Sequence, residues 1–137
     1  MDQIKNRVIA VIFGIALAYA SIVIAGIGAA VVIPAEALKP IAQISGLLAI
    51  TLVDLFTIAV PLSAAFLVVA FASKVFIRKP DFTFYALLLV PLILLQLYFV
   101  AQSQPLMFHT IVTTLPRYFL LAVCFCLLVR GSRQVNA

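Results

Sequence analysis

Two charged side chains, Asp54 and Arg117, lie inside long apolar stretches, and they are the residues of this chain best placed to do chemistry. A charge deep in hydrocarbon costs from about 3 to more than 10 kcal/mol unless a partner relieves it. One acid and one base can relieve each other as an ion pair that fixes helix register. They can also line a polar pathway or substrate site, the usual meaning of intramembrane charge. Both stretches read as running from the outer to the inner face. At 1.5 Å per residue, Asp54 lies about 30 Å from the inner boundary and Arg117 about 20 Å. Helical side chains lean toward their amino end, so Arg117 should reach outward toward Asp54. Thr110, Thr113 and Thr114 offer it further acceptors.

Little else in the chain is equipped for chemistry. Cys124 and Cys126 are two apart on a helix, so their side chains diverge by about 200° and cannot bond to each other. Their spacing fits neither a redox nor a zinc motif, and they read as packed small apolar residues. His109 is the only histidine, which excludes a two-histidine haem within one protomer. An intramembrane aspartyl dyad lacks its second acid. Ser103 and His109 could be imagined as nucleophile and base, but nothing in their spacing specifies that. The chain reads as a non-enzyme with no metal or cofactor.

The elements that must position Asp54 and Arg117 are membrane helices. No charged residue occurs among the 28 residues between Arg7 and Glu36, and three more apolar stretches follow. A hydrocarbon core of roughly 30 Å needs about 20 helical residues to cross. The 137 residues are 66% hydrophobic and 9% charged, which excludes an ordinary water-soluble domain. The expected fold is all-α: one domain over residues 1–137, a four-transmembrane-helix bundle with short loops. The expected spans are about 8–33, 53–73, 82–101 and 108–129. The apolar run is too long for the core of a signal peptide, so Pro34-Ala35-Glu36-Ala37 is read as a connection rather than a cleavage site.

Charge gives the orientation. Lys5 and Arg7 precede the first span, Lys74, Arg78 and Lys79 separate the second and third, and Arg130 and Arg133 follow the fourth. Lys and Arg in short loops stay cytoplasmic. Both termini are therefore expected in the cytoplasm, of a bacterial inner membrane. Lys74, Arg78 and Lys79 are expected to contact anionic inner-leaflet lipid. Basic residues split among three short segments exclude a nucleic-acid surface.

Within the first span, Ala10, Gly14, Ala18, Ser21, Ala25 and Gly28 recur every three or four residues and form one stripe. Small side chains let helix backbones approach closely, which drives association where lipid competes with every leucine contact. The stripe predicts packing inside the protomer, or assembly between protomers. Pro40 reads as the opening of the next helix. Ile41 to Ser73 is too long for one straight crossing, so Ile41–Leu52 is read as an extension or bent segment at the outer surface. Pro61 should kink the second span. The third span, rich in leucine, reads as the most lipid-exposed, with Tyr85 and Tyr98 in the two aromatic belts and Gln96 needing an internal partner.

Four-span proteins of this length include small multidrug transporters and fluoride channels. The multidrug group carries an essential glutamate in its first helix, where this chain has no acid, so the resemblance stops at size. With loops too short to hold a domain, the expected function is a small membrane interaction protein. It would act as an accessory or regulatory subunit of a larger membrane complex, or assemble with itself. The rival is a small oligomeric transporter or channel with Asp54 and Arg117 lining the pathway. The expected partners are the bilayer and another membrane protein or a second copy.

Overall fold

Asp2 places a negative charge in the first turn of α1 (Asp2–Ala30), where the amino-terminal end of the helix dipole favours it. A computed structural model describes residues 2–31, 33–77 and 79–135. The Val31 amide closes the last turn of α1 on the carbonyls of Ile27 and Gly28. The helix stops three residues short of the expected Ile33, because the residue ahead of Pro34 is disfavoured in the helical region. Pro34 is extended, and α2 (Ala35–Ile44) starts directly after it. Pro40 lies inside α2 instead of opening a helix. Leu38 and Ile41 are half-buried while Glu36, Lys39 and Gln43 are exposed, so this short helix has one apolar side.

Ser45 decides where the second span begins. Its backbone is extended (φ −159°, ψ 120°), and its Oγ accepts the Leu48 amide at 3.3 Å, ending α2 and capping α3 (Gly46–Asp54). The helix that carries the second span therefore runs from Gly46 to Ser73, longer than the expected 53–73, and it takes in residues 46–52 of the segment read as a surface extension. The span is α-helical to Asp54, widens into a single π-helical turn at Leu55–Ala59, and resumes as α4 (Val60–Ser73). Pro61 is the second residue of α4. It has no N–H for the Thr57 carbonyl four residues back, and a wide turn accommodates that break in the ladder.

At the other face, the Asp81 carboxylate caps α5 (Phe82–Gln102) by accepting the Phe84 amide at 2.9 Å. The last helix, α6, spans Met107–Val135. All the described residues are helical or connect helices, and four helices are long and apolar enough to cross a membrane. The fold is an all-α four-helix bundle. The start of α1, the end of α6 and residues 74–77 and 79–81 lie at one face, the terminal face, with α2 and the 103–106 turn at the opposite, α2 face.

In cross-section α1 packs most heavily on α5 and next on the second span, and α6 packs on the second span and on α5. Thus α1 and α6 occupy opposite corners. Leu17, Leu62, Phe66, Tyr85, Leu88 and Leu92 are fully buried between them. The third span is the most buried of the four, at 39% of its central window against 22% for the fourth. This reverses its expected lipid exposure. Its leucines are the bulky half of a complementary contact whose other half is the small-residue stripe of α1. Tyr85 is fully buried rather than in an aromatic belt, while Tyr98 is exposed.

Candidate functional site

Asp54 is the last α-helical residue before the π-turn. It lies eight residues after Gly46, about 12 Å along the bundle from the α2 end of that helix. Arg117 lies ten residues into α6, about 15 Å from the same face, and Gln96 six residues from the end of α5, about 9 Å. Arg117 leans toward its amino end and so brings the three into one layer.

There the Arg117 guanidinium bridges two helices. Its Nη2 donates to Asp54 Oδ1 at 2.5 Å and its Nη1 to Gln96 Oε1 at 2.7 Å. The planar fork of arginine suits this, since its two terminal nitrogens point to separate acceptors at fixed geometry. Arg117 and Gln96 are 7% and 6% exposed, and the Asp54 side chain 12%. The second, third and fourth spans are thus tied by one internally neutral cluster. It is the sole ion pair among the described residues. Two of its atoms, Asp54 Oδ2 and Arg117 Nε, are buried without a hydrogen-bond partner. Chemically the cluster can hold charge and fix helix register. Its one carboxylate is engaged by the Arg117 guanidinium, and it contains no histidine.

The three threonines near Arg117 accept no hydrogen bond from it. Thr110, Thr113 and Thr114 instead donate to backbone carbonyls one turn back in the same helix. That local bond satisfies each hydroxyl without any tertiary partner. Pro116 sits half-buried beside Arg117, and Pro61 lies two residues past the π-turn. Gln96 was recognisable as a polar residue in need of a partner, but nothing in the spacing paired it with Arg117.

The α1 stripe lies against the protomer's own helices. Ala10, Gly14, Ser21 and Gly28 are buried, and Ala18 and Ala25 are half-buried. A Cβ on Gly14 would come within 2.7 Å of the Leu88 carbonyl oxygen and 3.0 Å of the Pro91 ring. One on Gly28 would come within 2.8 Å of the Thr57 carbonyl oxygen, the oxygen that Pro61 cannot bond. Each glycine therefore seats α1 on backbone at a proline-disturbed turn. Ser21 returns its hydroxyl to the Ala18 carbonyl at 2.6 Å, so it presents no polar group to α5.

At the terminal face Lys74 is exposed, with its Nζ 4.5 Å from the Phe71 ring centroid. Lys79 is exposed and lines two clefts, one of about 210 Å³ with Arg7 and Asp81, the other of about 380 Å³ with Asp2 and Lys5. Arg78 lies outside the described residues. His109 is exposed, and the Ser103 hydroxyl is engaged with the Val100 carbonyl. Cys124 is half-buried, but Cys126 is exposed rather than packed. Among the described residues no group of three or more His, Cys, Asp or Glu side chains could hold a metal. Comparison with family models, curated proteins and solved structures finds no match to this chain.

Proposed function

We propose that this chain is a small, non-enzymatic membrane interaction protein, an accessory or regulatory subunit of a larger membrane complex or a self-assembling unit. The observation that carries this reading is the closed state of its only intramembrane charges. Asp54 and Arg117 neutralise each other and engage Gln96, so the polar residues serve to hold three helices in register. What remains on the outside is apolar helix surface, suited to lipid and to other membrane helices. The connections 31–45, 74–81 and 103–106 are too short to hold a separate domain. In the same reading the terminal face is cytoplasmic, in a bacterial inner membrane. Seven of the nine basic residues flank that face, where Lys74 and Lys79 meet anionic lipid.

Purification of the tagged chain in mild detergent tests the proposal. A stoichiometric membrane partner or a defined homo-oligomer is the expected result. A strict monomer recovered alone at every detergent and lipid ratio would overturn it.

Transport is the second reading, favoured by the unpartnered Asp54 Oδ2 and Arg117 Nε beside a π-turn. It requires that Asp54→Asn abolish a measurable flux in proteoliposomes while folding and assembly stay normal.

A further inference from the structure

The two clefts of the terminal face adjoin, sharing Asn6 and Lys79. The first, of about 210 Å³, adds Arg7 and Thr83 over a floor of Phe84. The second, of about 380 Å³, adds Lys5 over a floor of Ile77. Phe84 and Ile77 are each 2% exposed and belong to the hydrophobic core, so the packing of the bundle fixes both floors. Above them stand a guanidinium fork, two ammonium groups, an amide and a hydroxyl, all able to donate hydrogen bonds.

Two carboxylates also line the clefts, but each belongs to the amino end of a helix. Asp2 lies in the first turn of α1, and Asp81 caps α5 with its Oδ1 on the Phe84 amide. Backbone N–H groups and the helix dipole compensate both charges there. Lys5, Arg7 and Lys79 make no ion pair among the described residues. Three cations therefore border the clefts without a carboxylate partner. Exposed apolar side chains surround them: Ile4 and Val8 on α1, Phe76 before Lys79, and Phe82 after Asp81. Cations beside such side chains match the boundary between headgroups and acyl chains. The anion abundant at that boundary is the phosphate of a lipid.

We propose that the adjoining clefts are a binding site for the phosphate headgroup of an anionic phospholipid, held by Arg7 and Lys79 with Asn6 and Thr83 donating to its oxygens. The arginine fork suits two phosphate oxygens at once, and the lysine adds a point charge. Lys5 supplies a third positive charge from the second cleft, and the exposed apolar side chains border the acyl chains. Diffuse attraction to an anionic membrane treats every basic residue of the face alike, at about 5-fold each. A site does not. Lys74 lines neither cleft and lies over the Phe71 ring instead. This inference rests on the lipid contact of the reading above and gives that contact a site.

The test titrates the full chain, in a neutral maltoside detergent, with dioctanoyl phosphatidylglycerol and counts bound lipid by native mass spectrometry. One lipid per chain should bind saturably. Dioctanoyl phosphatidylcholine, whose headgroup has no net charge, should bind more weakly. Arg7→Gln and Lys79→Gln should each weaken phosphatidylglycerol binding by about 10-fold or more, as loss of a charge-assisted bond does. Lys74→Gln should weaken it by less than about 5-fold. Unchanged thermal stability of lipid-free Arg7→Gln would place its loss in the site and not in the fold. Equal losses at all three positions would overturn the site and leave the diffuse lipid contact intact. Inorganic phosphate that displaces the lipid at equal concentration would assign the clefts to a soluble phosphate compound and overturn the lipid. Absence of any preference for phosphatidylglycerol over phosphatidylcholine would overturn both the site and the lipid contact.

Discussion

Arg117 has to satisfy a permanent charge with side chains from two other helices, and it does so by dividing its fork between Asp54 and Gln96. Removing either charge strands the other, which in buried pairs of soluble proteins costs about 3–5 kcal/mol. Asp54→Asn and Arg117→Gln should each lower the thermal stability of the detergent-solubilised protein by that order. The combined Asp54→Asn/Arg117→Gln variant should lose less than the sum. Strictly additive losses would mean that the two groups act independently. Gln96→Leu leaves one Arg117 nitrogen without its acceptor and should cost about 1–3 kcal/mol by the same measurement. Asp54 and Arg117 were legible in the sequence because nothing else charged interrupts their stretches. The part played by Gln96 was not, since an amide in a leucine-rich helix advertises a need for a partner but not its identity. The threonines misled for a physical reason: a hydroxyl that can bond to its own helix needs no tertiary contact.

At the scale of elements, the bundle is built on glycines that meet backbone. Gly14→Ala forces a methyl onto the Leu88 carbonyl and Gly28→Ala one onto the Thr57 carbonyl. Each should destabilise the solubilised protein by about 1–3 kcal/mol through overpacking. Gly26→Ala, on open surface, should be neutral or stabilise it by up to about 1 kcal/mol. Equal effects at all three positions would contradict this packing. The existence of the spans was readable because an uncharged apolar run of about 20 residues matches the thickness of the hydrocarbon core. Their limits and neighbours were less so. Counting back from Lys74 missed Gly46 because a local choice, the extended backbone of Ser45, sets that boundary. The leucines of α5 looked like lipid-facing bulk because bulk and smallness are complementary only once two helices are paired. The π-turn carries no residue signature of its own beyond a proline just past it.

For the molecule as a whole, the distribution of charge between its two faces makes a direct prediction about insertion. Cysteine introduced at Gln104, in the turn between α5 and α6, should react with a membrane-impermeant maleimide added outside intact cells. Cysteine at Lys79 should react only after the membrane is opened. Labelling in the reverse pattern would invert the proposed orientation.

The heavy contact between α1 and α5 carries a consequence for biogenesis. The first helix finds its principal neighbour not in the segment made next but in one that begins about 50 residues after it ends. While the ribosome is still making the second span, the face of α1 that carries Gly14 has no permanent cover. It is shielded at that stage only by lipid or by the insertion machinery. Nascent chains stalled before α5 emerges should therefore be short-lived in the cell, and those stalled once α5 has cleared the ribosome should escape the proteases that clear them.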